Sequence, residues 1–253
     1  MQTISILGCG WLGLPLATTL INKNFNVKGS TTQTNKLPIL KAAGIVPYIV
    51  NIESKSIPTD FLNSDILILL ITSKNRDAFQ QFIKQIETST IKKVIFISST
   101  SVYPNSNTEV TETSETNQSP LVAIESLFTQ NNTFKTTVIR FGGLFGYQRK
   151  PGNFIRAHNI IPNPEGYINL IHQDDCIGIL ISIIEKDIWN ETFNACANSH
   201  PKRAAFYTKE MAKVGRLHPV LDPDSDNVYK IVSPEKLISA IGYTFKYSNL
   251  MDY

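Results

Sequence analysis

The stretch Ile4-Ser5-Ile6-Leu7-Gly8-Cys9-Gly10-Trp11-Leu12-Gly13-Leu14-Pro15-Leu16-Ala17 constrains this chain more than any other. An apolar run, three glycines spaced GxGxxG and an apolar helical pattern read as a buried strand, a tight turn and a helix. In such a unit Gly8 permits the turn off the strand, Gly10 lets a pyrophosphate come close to the backbone, and Gly13 lets the helix lie tightly on the strand. The helix start offers unpaired N–H groups and roughly half a positive charge to those phosphates. Glycines also mark ordinary turns, so the flanking strand and helix carry the inference. Gly8, Gly10, Trp11, Leu12 and Gly13 are the first candidate cofactor contacts.

The rest of the chain continues this alternation. Strands are expected near Ile4–Leu7, Asn26–Gly29, Val46–Val50, Ile66–Ile71, Lys93–Ser98 and Thr137–Arg140. Helices are expected over Trp11–Ile21, Lys36–Ala43, Asp77–Glu87 and Leu121–Gln130. The runs beginning at Asp65 and Lys92 are continuously apolar, as strands covered on both faces should be. The expected fold is α/β, a Rossmann doubly wound parallel sheet with a small C-terminal substrate lobe. Ligands in such a sheet sit beyond the carboxyl ends of the strands. That rule adds Ser30, Thr31, Thr32, Thr72, Ser98, Phe141 and Gly142 to the cofactor candidates.

After Gly146 the texture changes to a basic loop, Gln148-Arg-Lys-Pro-Gly, then an Asn- and Pro-rich segment and Asn169-Leu-Ile-His-Gln-Asp-Asp. Asp174 or Asp175 is expected to cap an apolar helix from Cys176 to about Glu185. A short strand at Thr192–Cys196, a helix from Lys202 to Val214 and a last helix opened by Ser233-Pro234-Glu235 and ending near Gly242 follow. The expected division is residues 1–146 as a dinucleotide-binding domain and 147–253 as the substrate lobe, with part of 169–187 returning to the first domain.

Composition excludes several classes. With 42% hydrophobic and 18% charged residues, the 253-residue chain is an ordinary globular one. A net charge of +3 from scattered basic residues gives no nucleic-acid stripe. No apolar run approaches the roughly 18 residues of a membrane span. The first strand begins at about residue 3, which leaves no room for a secretory signal, and a cytoplasmic location is expected. Cys9, Cys176 and Cys196 form no CxxC pair, and His158, His172, His200 and His218 show no ligand spacing, so no structural metal is expected.

Cofactor choice follows from a missing carboxylate. A free ribose diol is usually held by Asp or Glu roughly 20 residues beyond the glycine motif. Here the first acidic residue is Glu53, preceded by Lys23, Lys28, Lys36 and Lys41. The second strand instead ends Gly29-Ser30-Thr31-Thr32, with Lys36 a turn further on. Hydroxyl donors and a cation suit a 2′-phosphate. NADP is therefore expected, with NAD as the alternative.

Ser98-Ser-Thr-Ser-Val-Tyr103, Arg140-Phe-Gly-Gly-Leu-Phe-Gly146 and Asn169-Leu-Ile-His-Gln-Asp-Asp175, together with the glycine motif, resemble the extended short-chain dehydrogenase/reductase family, the NAD-dependent epimerase/dehydratase group. The atypical, YeeZ-like bacterial members share GxGWLGxPLA, SSTSVY and a loop similar to Tyr147-Gln-Arg-Lys-Pro-Gly-Asn-Phe154. The resemblance implies that Ser99 orients a substrate oxygen. It also implies a Tyr-x-x-x-Lys pair, in which a lysine brings a tyrosine of ordinary pKa near 10 into working range. None of the nine tyrosines has a lysine four residues later, and Glu125 lies on the helix where that lysine is expected.

Tyr103 is the candidate replacement acid/base, with a water held by Thr100 and Ser101 as the alternative. Arg149 and Lys150 are candidates for an anionic substrate group, and His172, with its near-neutral pKa, for the substrate site. Arg140 reads as a structural arginine pairing with a buried carboxylate or a loop carbonyl. His200-Pro201-Lys202-Arg203 opens a helix, and lining the substrate lobe is its alternative role. Two functions are expected: an NADP-dependent reductase, epimerase or dehydratase acting on a small polar or sugar-like molecule, or a nucleotide-binding sensor or scaffold that has lost catalysis. Oligomeric state is not legible in the sequence.

Overall fold

The computed structural model describes residues 1–54, 56–155 and 159–253. Seven strands form one parallel sheet: β1 (Thr3–Leu7), β2 (Asn26–Thr31), β3 (Val46–Ile49), β4 (Ile66–Leu69), β5 (Lys93–Ser99), β6 (Lys135–Phe141) and β7 (Thr192–Ala195). Their order is β7-β6-β5-β4-β1-β2-β3. β1 sits between β2 and β4, with Ile4 level with Val27 on one side and Ile66 on the other. The chain runs outward from β1 to β3 and returns to β4 on the opposite side of β1. The turn after β1 therefore stands where the strand order reverses, the ligand position of open α/β sheets.

The principal helices are α1 (Gly13–Asn22), α2 (Leu37–Ala42), α3 (Arg76–Glu87), α4 (Pro120–Thr129), α5 (Gln173–Glu185), α6 (Arg203–Lys213) and α7 (Glu235–Ile241). α3 shows why these segments are helical. Phe79, Phe82, Ile83 and Ile86 fall on one buried face, and Asn75 caps the start by accepting a 3.1 Å hydrogen bond from the Ala78 N–H.

The chain divides into two interleaved compact units. The first comprises Met1–Ser98, Gln118–Ile139 and Ile183–Thr192, and the second Ser99–Asn117, Arg140–Ser182 and Phe193–Tyr253. The division expected from the sequence lay after residue 146, with part of 169–187 returning to the first domain. Of the segment expected to return, residues 183–187 belong to the first unit. The core of the first unit includes Leu67, Leu69, Phe79, Phe82, Phe96 and Phe128. Phe96 and Phe128 are stacked with centroids 4.9 Å apart. In the second unit Phe145, Ile161, Leu170, Phe206 and Met211 form a separate core.

Among the described residues the second unit carries three short strand pairs: Gly143–Phe145 with Leu170–His172, Ile160–Ile161 with Val220–Leu221, and Glu109–Val110 with Ile231–Val232. Asp174 and Asp175 lie inside the first turn of α5 and do not precede it as caps. The fully buried Asp175 carboxylate accepts from the Tyr243 hydroxyl (3.0 Å) and from the N–H groups of Lys246 (2.7 Å) and Tyr247 (3.1 Å). It fixes the C-terminal segment. No helix among the described residues is long and apolar enough to cross a membrane.

Candidate cofactor and substrate sites

The glycine turn is shaped by three different demands. Gly8 has φ +102°, a left-handed conformation that side chains rarely adopt. A Cβ on Gly13 would stand 2.2 Å from the Gly8 carbonyl oxygen, so α1 can approach β1 this closely only without a side chain there. A Cβ on Gly10 would meet nothing within 4 Å. The fold itself does not require glycine at position 10, whereas a ligand lying against the backbone does. No side chain caps the start of α1. Leu12 is buried and Trp11 is partly exposed.

Ser30 is buried and accepts the Gly8 N–H at its hydroxyl (3.1 Å), while its carbonyl accepts the Cys9 N–H (2.8 Å). Its hydroxyl braces the turn, whereas the sequence reading made it a direct cofactor contact. Thr31 ends β2 and Thr32 and Lys36 are exposed just beyond it. Thr72 is exposed after β4. Ser98, at the end of β5, donates a short hydrogen bond to the buried Glu125 carboxylate on α4, so its hydroxyl is already engaged. Phe141 is buried, and a Cβ on Gly142 would come within 2.7 Å of the Asn169 carbonyl oxygen, which gives that glycine a packing reason.

In the second unit, Tyr103 is 1% exposed. Its hydroxyl donates to Asn194 Oδ1 (2.8 Å) and accepts from Arg140 Nη1 (2.7 Å), with the guanidinium 5.1 Å from the ring centroid. Burial pushes the phenol above its ordinary value, against the lowering influence of Arg140. A hydroxyl held on both sides and hidden from solvent is a poor proton carrier, so the acid/base role expected of Tyr103 has no support here. Arg140, expected to pair with a buried carboxylate or a loop carbonyl, is buried and has the Tyr103 hydroxyl as one of its partners.

The second unit also contains a polar cleft of about 390 Å³. Ser99, Thr100 and Ser101 line it, as does Arg203 from the start of α6, together with Asn169 and Lys230. Ser99 closes β5 and accepts the Ser101 N–H (3.1 Å), which folds Thr100–Val102 into a single turn. Tyr167 and Tyr229 form an edge-to-face wall with centroids 4.8 Å apart. The sequence reading missed Lys230, Asn169 and both tyrosines. Lys230 stands alone before the two-residue strand Ile231–Val232, a context too short to carry a signal.

Other expected substrate residues lie elsewhere. Arg149 and Lys150 are exposed in the turn after Gly146 and do not line the cleft. His172 is 2% exposed and stacks on Tyr247 with centroids 3.7 Å apart. Its Nδ1 accepts the Asp174 N–H (3.1 Å), and burial holds its pKa below the ordinary value although Asp174 opposes this. His172 therefore braces the second unit. Among the described residues no group of His, Cys, Asp or Glu is placed to hold a metal, and His158 lies outside those residues.

Residues 3–124 match the family described as the NAD binding domain of 6-phosphogluconate dehydrogenase. Protein YeeZ of Escherichia coli (strain K12) is 27% identical over 267 aligned residues, covering 98% of this chain and 97% of YeeZ. A short-chain dehydrogenase/reductase superfamily protein from Agrobacterium tumefaciens with bound NAD superposes with a TM-score of 0.80 at 15% identity, covering 98% of this chain and 94% of its own. UDP-glucuronic acid 4-epimerase from Bacillus cereus, in complex with UDP-glucuronic acid and NAD, gives 0.79 at 17% identity, covering 99% and 96%. These structural likenesses establish a shared fold.

Proposed function

We propose that the chain, which is similar to YeeZ and to an NAD-bound short-chain dehydrogenase/reductase structure, binds NADP in preference to NAD and acts as an oxidoreductase or epimerase on a small polar or sugar-like molecule. The observation that carries this reading is the turn at Gly8–Gly13, which stands at the reversal of strand order and has a glycine at position 10 that the fold itself does not need. Backbone N–H groups at the start of α1 hold the pyrophosphate, since those of Gly8, Cys9 and Gly10 are engaged within the turn. Thr31, Thr32 and Lys36 face the 2′-phosphate, where the chain offers a cation and no carboxylate before Glu53. Thr72, Ser98, Phe141 and Gly142 complete the cofactor set, Ser98 through its backbone. The nicotinamide, when bound, supplies hydride exchange.

On the substrate side, Ser99 orients and polarises the reacting oxygen. Thr100 and Ser101 hold a water that passes the proton, the task left open by the engaged hydroxyl of Tyr103. The proposed location is the cytoplasm, on the sequence ground that Cys9, Cys176 and Cys196 are odd in number and form no CxxC pair. Titration with NADPH and NADH, read by the fluorescence of Trp11, tests the cofactor reading; equal or absent binding overturns the preference. In a reductase and epimerase screen, Ser99→Ala abolishes any turnover found, and undiminished activity removes Ser99 from the mechanism.

A second reading has two specific observations in its favour. The absence of a Tyr-x-x-x-Lys pair and the burial of Tyr103 suit a sensor or scaffold that binds nucleotide without catalysis. That reading requires partner affinity to depend on cofactor oxidation state, and a pull-down unchanged between NADP⁺ and NADPH counts against it.

A further inference from the structure

Three cations in the second unit meet carboxylates. Lys202 pairs with Glu165, Lys246 with Asp174 and Lys213 with Glu210. The two cations of the cleft do not. Arg203 donates through Nε to the Pro162 carbonyl (2.8 Å) and stacks over the Tyr207 ring (5.2 Å). Lys230 is partly buried and donates from Nζ to the Tyr103 carbonyl (2.5 Å). Neither forms an ion pair among the described residues, and no Asp or Glu lines the cleft.

A cation drawn out of water without a counter-charge is costly, and its protonated form is disfavoured. Lys230 shows this, since burial alone moves its pKa below the ordinary lysine value. A ligand anion entering the cleft would offset that cost. The position is also braced in advance: Asn169 donates to the Lys230 carbonyl (2.9 Å) and accepts the Val232 N–H (2.8 Å), which fixes the backbone on both sides of Ile231.

We propose that Arg203 and Lys230 form an anion subsite that binds a carboxylate or phosphate group of the substrate. Arg203 contributes a planar fork and Lys230 a point charge, while the hydroxyls of Ser99, Thr100 and Ser101 line the same cleft. The substrate class is a small acidic polyol, and the volume of about 390 Å³ lies toward the lower end for ligand sites. This inference rests on the reading of the chain as a protein that acts on a small polar molecule, and it specifies that molecule's charge.

The test is calorimetric titration of the full chain with inorganic phosphate and, in a parallel arm, with malonate. Lys230→Met, Arg203→Gln and Lys230→Arg are compared with wild type, and each sample is also titrated with NADPH. Saturable binding of either anion is expected, weakened about tenfold or more in the first two variants and retained in the third, as befits loss of one charge-assisted hydrogen bond. The arm with tighter binding identifies the head group. Absence of saturable binding in both arms, or wild-type affinity in both weakened variants, overturns the subsite.

If those variants do not fold, amine labelling of the native wild type decides. Either anion slows acylation of Lys230 and not of Lys202, and an unchanged rate at Lys230 overturns the proposal. Loss of NADPH binding with anion binding intact removes the cofactor reading alone, and the reverse result removes the subsite alone.

Discussion

A methyl group at position 10 should separate the nucleotide site from the fold. Gly10→Ala places its Cβ where no heavy atom lies within 4 Å, at a backbone position without a positive φ, so the native structure accommodates it. Reduced freedom of the unfolded chain then stabilises the protein by about 0.4–1 kcal/mol. In a protein of this size that raises the melting temperature by roughly 1–4 °C. The same methyl occupies space needed by a pyrophosphate, and loss of one or two charge-assisted hydrogen bonds weakens NADPH binding by about 10- to 100-fold.

Gly13→Ala is the contrasting case. Its Cβ would lie 2.2 Å from the Gly8 carbonyl oxygen, a backbone atom that cannot yield as the end of a flexible side chain would. Overpacking of this kind costs about 1–3 kcal/mol, and the melting temperature falls by several degrees. Paired thermal melts and NADPH titrations check both variants. Unchanged NADPH affinity in Gly10→Ala, or a destabilisation equal to that of Gly13→Ala, would refute the assignment of position 10 to the ligand.

Tyr103→Phe removes a hydroxyl that partners buried Arg140 and Asn194, so stability falls by about 1–3 kcal/mol in a denaturant melt while any turnover persists. Abolished turnover with unchanged stability would return Tyr103 to the chemistry. Asp175→Ala strips three hydrogen bonds from the C-terminal segment and costs about 3 kcal/mol, read as a lowered melting temperature. His172 and His200 both have pKa values lowered by burial, so the unfolded chain binds protons more readily than the folded one. Stability is therefore full above the ordinary histidine value of about 6.5 and declines as pH falls through the window below it, checked by melts between pH 7.5 and pH 5. Lys36→Glu places a carboxylate beside the 2′-phosphate position and reverses the NADPH-over-NADH preference; an unchanged ratio of affinities would remove Lys36 from the site.

The doubly wound sheet was legible because its signals are local. The runs Ile66–Leu69 and Val94–Ile97 are continuously apolar, and α3 has its amphipathic face and Asn75 cap within a few residues. The glycine turn was legible for the same reason. The substrate side was legible only in part: Ser99, Thr100 and Ser101 stood out in their motif and Arg203 as an alternative, whereas Asn169 and Lys230 join the same cleft from segments far apart in sequence. Neither of those two was marked as a site residue by its own neighbourhood. Arg149, Lys150 and His172 looked functional because of charge or pKa type, yet the first two lie in an exposed turn and the third is buried among aromatic rings. Ser30 was placed correctly at the end of β2, but the bond from Gly8 to its hydroxyl depends on strand register, which the composition of β2 alone does not reveal.

The central claim is that the turn after β1 is a dinucleotide site that prefers NADP. The most direct measurement is a crystal structure of the full chain with NADP⁺. The account predicts pyrophosphate density against Gly10–Gly13 and a 2′-phosphate within hydrogen-bonding reach of Thr32 and Lys36. A nucleotide bound elsewhere, or crystals that take up no nucleotide at saturating concentration, would contradict it.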